Sequence, residues 1–215
     1  MKKSELNKFL LKEFKVGLKE SNFKYSKYRF FNICEDYTIS FGYAIVDYSN
    51  IFPTTFGYNL SIEDVDVLSS SLFNKELERI IIYGENTVSL SLKGEYPISE
   101  FIIQTENDAT EMAYKALAYF KNEALPYLRS ISNIENLDKI VNHNPIEPRA
   151  GIKGLMLAKL NNNPDYESLK KAYRQLFIDQ KWEGQEDIDD LETAICFLDK
   201  HSKDELETII NDNKS

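Results

Sequence analysis

The stretch YTISFGYAI, residues 37–45, decides the fold. Tyr37, Ile39, Phe41, Tyr43 and Ile45 alternate with Thr38, Ser40, Gly42 and Ala44. Apolar and small residues at a period of two read as a strand with one buried face. Downstream, Phe52-Pro53-Thr54-Thr55 reads as a turn, and Phe56, Tyr58 and Leu60 resume the alternation. Upstream, Phe23, Tyr25, Phe30, Phe31 and Ile33 form a β-prone run broken near Glu35 and Asp36. These segments make a meander or hairpin set. Before them, Leu6, Phe9, Leu10, Phe14 and Leu18 recur every three or four residues among lysines, the pattern of an amphipathic helix.

The reading continues outward in both periods. Ser61 and Asp64 mark a helix start ahead of Ile62, Val65, Leu68 and Leu72. Ile80–Tyr83 and Val88, Leu90 and Leu92 read as two strands around a Gly84-Glu85-Asn86 turn. Beyond about residue 104 the apolar spacing is helical throughout. The first helix there opens at Asn107-Asp108 and meets Pro126, which predicts a kink or a helix end. Ser132 with Glu135 and Ser202 with Glu205 have capping-box spacing. Residues 148–177 have the layout of a single tetratricopeptide-like helix pair, with no second copy at a fixed period. The expected fold is α+β: an N-terminal helix on an antiparallel sheet, followed by an all-helical C-terminal half. The sheet region is residues 1–104 and the helical region 105–215, packed as one continuous fold because no Gly/Pro/Ser-rich linker separates them.

Composition narrows the function classes. With 26 basic and 35 acidic side chains the net charge is −9, which argues against a nucleic-acid binder. Residues 1–33 carry nine Lys/Arg and three Glu, whereas residues 183–215 carry three Lys and eleven Asp/Glu. No apolar run reaches the ~18 residues that span a bilayer, and the N-terminus lacks the apolar core of a signal peptide. The expectation is a cytoplasmic protein with no membrane and no nucleic-acid partner.

Chemical signatures are sparse. His143 and His201 are the two histidines; His143 reads as a loop residue and His201 as a helix-end residue suited to the dipole. Cys34 and Cys196, far apart, read as buried structural thiols. Gly151-x-x-Gly154 opens an apolar helix and reads as a close-packing device rather than a phosphate loop. No catalytic residue, metal site or cofactor is expected. The acidic run Glu186–Glu192 lacks the alternation and glycine of a calcium loop. Its Asp187, Asp189 and Asp190 are candidates for steering a basic protein partner. The tyrosines of the sheet, Tyr43 and Tyr58 in particular, are candidate contact residues on an open face, tyrosine combining apolar area with a polar tip.

Lys19-Glu20-Ser21-Asn22-Phe23-Lys24-Tyr25, then Tyr28-Arg29-Phe30-Phe31, the strand from Tyr37 to Ile45 and Glu123-Ala124-Leu125-Pro126-Tyr127-Leu128 carry a resemblance. They resemble bacterial domains of unknown function built from a helix, a Gly-Phe-Lys-Lys…Phe turn, a meander and an Ala-Leu-Pro helix. Here Asn22 stands where that pattern has glycine. Some such domains act as immunity or accessory proteins beside bacterial toxins. The resemblance implies a non-enzymatic protein-binding module, in its most concrete form an immunity-like inhibitor. The alternative is a hydrolase or transferase whose site assembles only in three dimensions. A third reading is a structural adaptor whose helix pair at 148–177 forms a small peptide-binding groove.

Overall fold

The computed structural model describes residues 2–26, 29–49, 51–73, 88–91, 100–145, 151–179 and 185–214. The expected strand at Ile80–Tyr83 and its turn at Gly84–Asn86 lie outside these residues. The architecture is α+β. Helix α1 (Lys3–Leu18) leads into β1 (Lys24–Ser26), β2 (Arg29–Ile33), β3 (Tyr37–Ile45) and β4 (Phe52–Ile62). Then come α2 (Glu63–Leu72), β5 (Val88–Ser91) and β6 (Glu100–Ile103). The remaining elements are helical: α3 (Glu106–Tyr119), α4 (Leu125–Ser130), α5 (Ile134–Asn142), α6 (Gly151–Leu160), α7 (Tyr166–Asp179), α8 (Gln185–Lys200) and α9 (Lys203–Lys214).

The sheet runs β1-β2-β3-β4, and β4 carries two neighbours end to end on its other edge. Phe52–Thr55 pairs with β6 and Gly57–Leu60 with β5, both antiparallel. The chain forms two compact units: Met1–Leu60 with Val88–Ser130, and Ser61–Thr87 with Ile131–Ser215. The helix that opens the helical stretch thus belongs with the sheet.

In the sheet unit, alternation sorts side chains between two faces. Phe30 lies opposite Phe41, and Asn32 opposite Ile39; these residues are buried together with Phe52, Phe56, Tyr58 and Leu60. Phe14 of α1 enters this face, its ring 5.1 Å from Phe41, 5.7 Å from Phe56 and 6.2 Å from Phe30. From the other side Phe120 sits 4.8 Å from Phe41 and 5.5 Å from Phe23. Offset and edge-on aromatic packing adds to the burial of each ring.

Phe120 begins the turn that precedes Pro126. A proline lacks an N–H, and its ring collides with the carbonyl four residues back, here Asn122. The helix does not end there. Phe120–Ala124 widens into one π turn, in which the Leu125 N–H donates to the Phe120 carbonyl.

Several expected helix starts shift by a residue or two. Ser61 does not cap α2; β4 continues through buried Ile62 and passes directly into the helix, whose first turn carries Glu63, Asp64 and Asp66. Thr105 caps α3 by accepting from the Asp108 N–H. Asn133, not Ser132, caps α5 through the Asn136 N–H. Ser202 and Glu205 form the expected reciprocal box. Asn22 has φ 61°, a left-handed conformation that asparagine tolerates better than other non-glycine residues. Pro53 is the second residue of β4 rather than part of a turn; the chain reverses between Tyr48 and Ile51, which exchange both backbone hydrogen bonds.

In the helical unit, α6 is apolar except for Lys153, paired with Asp66 of α2, and Lys159, and is packed on by α2, α5, α7, α8 and α9. A helix of this kind belongs at a core's centre. Gly151 and Gly154 let Tyr173 of α7 approach. A Cβ at Gly154 would overlap the Tyr173 hydroxyl and stand 2.8 Å from Asn142 Oδ1; one at Gly151 would meet Tyr173 Cδ1 at 3.0 Å. The close-packing reading of this pair therefore holds. Gly154→Ala is expected to cost about 1–3 kcal/mol through overpacking, and Gly151→Ala less, measurable by urea denaturation of the three proteins.

Candidate functional site

The site follows from the face of the sheet opposite the aromatic core. Positions 38, 40, 42 and 44 of β3 point there, since Ser40 lies opposite Phe31 and Thr38 opposite Ile33. Past the end of β3 the same parity continues through Val46 and Tyr48. The Val46 N–H donates to the Pro53 carbonyl at 2.9 Å, and Tyr48 and Ile51 exchange both backbone bonds at 2.9 and 3.2 Å. Ser49, at φ 53°, takes the left-handed conformation that a two-residue hairpin turn demands.

Pro53 lies opposite Ile102 of β6. Val46, Pro53 and Ile102 therefore form one row across three strands, with Tyr48 and Ile51 in the next row toward the tip. Four of the five are exposed: Val46 45%, Tyr48 64%, Ile51 40% and Ile102 60%. Scattered exposed apolar residues are ordinary; a cluster of them on one corner is a candidate contact surface. Asp47, also exposed, adds one carboxylate to the tip.

The tyrosines chosen from the sequence lie elsewhere. Tyr58 is 4% exposed and faces the aromatic core, 6.0 Å from Phe120, so it does not line an open face. Tyr43 shares that inner face. Its ring is 5.3 Å from Phe14, and its hydroxyl donates to Asn7 Oδ1 of α1 at 3.0 Å. Burial, with Tyr25 nearby, pushes the Tyr43 phenol up to about 12; burial and the Tyr119 hydrogen bond push that of Tyr58 up as well. Both stay protonated at neutral pH and serve packing. The correction is one of parity: odd positions of β3 and even positions of β4 face inward. Among the described residues of the sheet, Tyr48, of opposite parity to Tyr43, is the exposed tyrosine, and the strand alternation carried that signal.

The acidic candidates sit in the first two turns of α8. Asp189 is exposed and Asp190 half-buried; the side chain of Asp187 lies outside the description. Nearby, Glu192 accepts both Nε and Nη2 of Arg174 at 2.5 and 2.7 Å, which raises the Arg174 pKa and lowers that of Glu192. His143 follows the end of α5 and is exposed. His201 ends α8, its ring 4.5 Å from Phe197 and Nδ1 2.8 Å from the Phe197 carbonyl. Cys34 is half-buried with Sγ 3.2 Å from Asn32 Oδ1. Cys196 is exposed, against expectation, because it points off the buried stripe of Leu191, Ala194, Ile195 and Leu198. Among the described residues no three His, Cys, Asp or Glu side chains converge as a metal site would require, and no helix is long and apolar enough to cross a membrane. No model of a known family, no curated protein and no solved structure matches this chain.

Proposed function

We propose that this chain is a non-enzymatic protein-binding module whose contact surface is the β3–β4 hairpin corner. The observation that carries the reading is the contiguous exposed set Val46, Tyr48, Ile51 and Ile102. An aromatic ring flanked by aliphatic side chains is the composition of an interface centre, where a few residues dominate affinity. The corner stands on paired strands, so little ordering entropy is lost on contact. In its most concrete form the module is an immunity-like inhibitor that covers the working surface of a bacterial toxin, as the resemblance implies.

Charge supports a basic partner. The unit containing α8 and α9 has 13 basic and 23 acidic side chains, whereas the sheet unit has 13 and 12. A field of one sign raises the encounter rate with an oppositely charged protein and is screened over about 8 Å at physiological salt. Replacing Asp187, Asp189 and Asp190 by Asn is expected to slow association at low salt while dissociation changes little. Equal rates at every salt concentration would remove steering from the account.

Tyr48→Asp tests the corner. As an exposed residue it is expected to leave the melting temperature nearly unchanged, while costing about 2 kcal/mol or more of binding, as for an interface anchor. Wild type and variant would be compared as baits in the producing organism, and again with the purified partner. Retention of the same protein by both baits, or by neither, would count against the corner.

A further inference from the structure

We infer that the solvent face of α1 docks reversibly on an anionic lipid surface. Lys8, Lys12 and Lys15 of α1 and Lys19, the first residue past its end, follow one another at intervals of four, three and four residues, which places them in one row. All four are exposed, and at ~1.5 Å per residue the row is about 17 Å long. Lys2 and Lys3 extend the positive charge at the N-terminal end, both exposed or terminal to the helix. Among the described residues no carboxylate neutralises Lys8, Lys12 or Lys19. Lys15 stands over the Tyr25 ring at 5.1 Å, which fixes its direction without cancelling its charge.

The apolar stripe of this helix, Leu6, Leu10, Phe14 and Leu18, is fully buried. The helix therefore does not insert. It offers a polar face, with Val16 beside the lysine row at 69% exposure. A straight row on a convex cylinder meets a flat surface along its whole length, so every lysine contributes at once. Clusters of four to eight lysines on an amphipathic helix are attracted to anionic headgroups by this means. Nucleic acid fits less well, because single strands are held in grooves beside stacking aromatic rings. The acidic balance of the whole chain does not oppose short-range contact, since charges farther than about 8 Å are screened at physiological salt.

The test uses the full chain with vesicles of phosphatidylcholine, alone or mixed with phosphatidylserine, and with a labelled single-stranded oligonucleotide in parallel. Co-sedimentation is expected with the mixed vesicles only, and is expected to vanish as salt rises from about 0.1 to about 1 M. Lys8→Glu with Lys12→Glu is expected to weaken it by more than about tenfold at an unchanged melting temperature. Lys8→Gln with Lys12→Gln, which only neutralises, is expected to fall between and serves if the reversed variant folds poorly. The inference is overturned by no binding to mixed vesicles, by equal binding of either variant, or by capture of the oligonucleotide in place of vesicles. It is independent of the hairpin corner, whose variants leave vesicle binding unaltered.

Discussion

Phe41→Asp is expected to unfold the sheet unit. Phe41 has no exposed surface and is the ring on which the core converges: Phe14 at 5.1 Å, Phe120 at 4.8 Å, Phe56 at 6.4 Å and Phe30 at 6.5 Å. The substitution removes a large apolar side chain and puts a carboxylate where no cation is paired with it. Truncating a buried Phe costs about 3–5 kcal/mol, and burying an unpaired charge adds several more. Domains of this size are stable by only about 5–15 kcal/mol. Circular dichroism should report loss of the folded sheet, or a urea midpoint near zero. Phe41→Leu, which keeps an apolar side chain, should retain the fold at a cost of about 1–2 kcal/mol. A Phe41→Asp protein that melts like wild type would remove β3 from the core.

The second large effect belongs to the helical unit. Asp138 is buried, and its carboxylate is held by three asparagine amides. Asn142 Nδ2 donates at 2.6 Å, Asn161 Nδ2 at 2.6 Å, and Asn163 Nδ2 to both oxygens at 3.0 and 2.8 Å. Asn142 also donates to the Gly154 carbonyl and accepts from the Tyr173 hydroxyl, both at 2.8 Å. One carboxylate thus ties α5 to the Asn161–Asn163 turn, and through Asn142 to α6 and α7. Burial and the Asp138 charge push the Tyr173 phenol up, so it remains a donor. Asp138→Ala leaves the amides of Asn161 and Asn163 without these acceptors. Hydrogen bonds to a charged group contribute about 1.5–3 kcal/mol each, so a loss of about 3–5 kcal/mol is expected in chemical denaturation. Asp138→Ala together with Asn142→Ala should cost less than the two single losses added, because the pair shares one network. Strict additivity would show that the amides act separately.

The sheet was legible because its strands alternate so regularly. One period of two, from Tyr37 to Ile45, already assigns Phe41 inward and Ala44 outward. The glycines of α6 were legible for a similar reason, sitting three apart on a helix that is apolar but for Lys153 and Lys159. What the sequence left open depended on where each period begins and ends. Ser61 carries a cap-like side chain, yet the alternation through Leu60 and Ile62 keeps it in β4. Pro126 predicts an interruption, but a π turn absorbs a proline as well as a helix end does. The exposure of the sheet tyrosines is set by parity: Tyr43 and Tyr58 stand out in composition but face inward, whereas Tyr48 is distinguished only by its register beyond the end of β3. The Asp138 network joins partners 4 to 31 positions apart, and no local spacing announces it.

The central claim, that the hairpin corner is the contact surface, is tested most directly by site-specific photocrosslinking. A benzophenone side chain placed at position 48 in the producing cells should yield one discrete protein adduct. The control is the same group at position 178, where Ile178 is 65% exposed on α7 and belongs to no such cluster. An adduct is expected from position 48 and none from position 178, with Asp47→Lys and Ile51→Asp each reducing it. No adduct from position 48, or the same adduct from both positions, would contradict it.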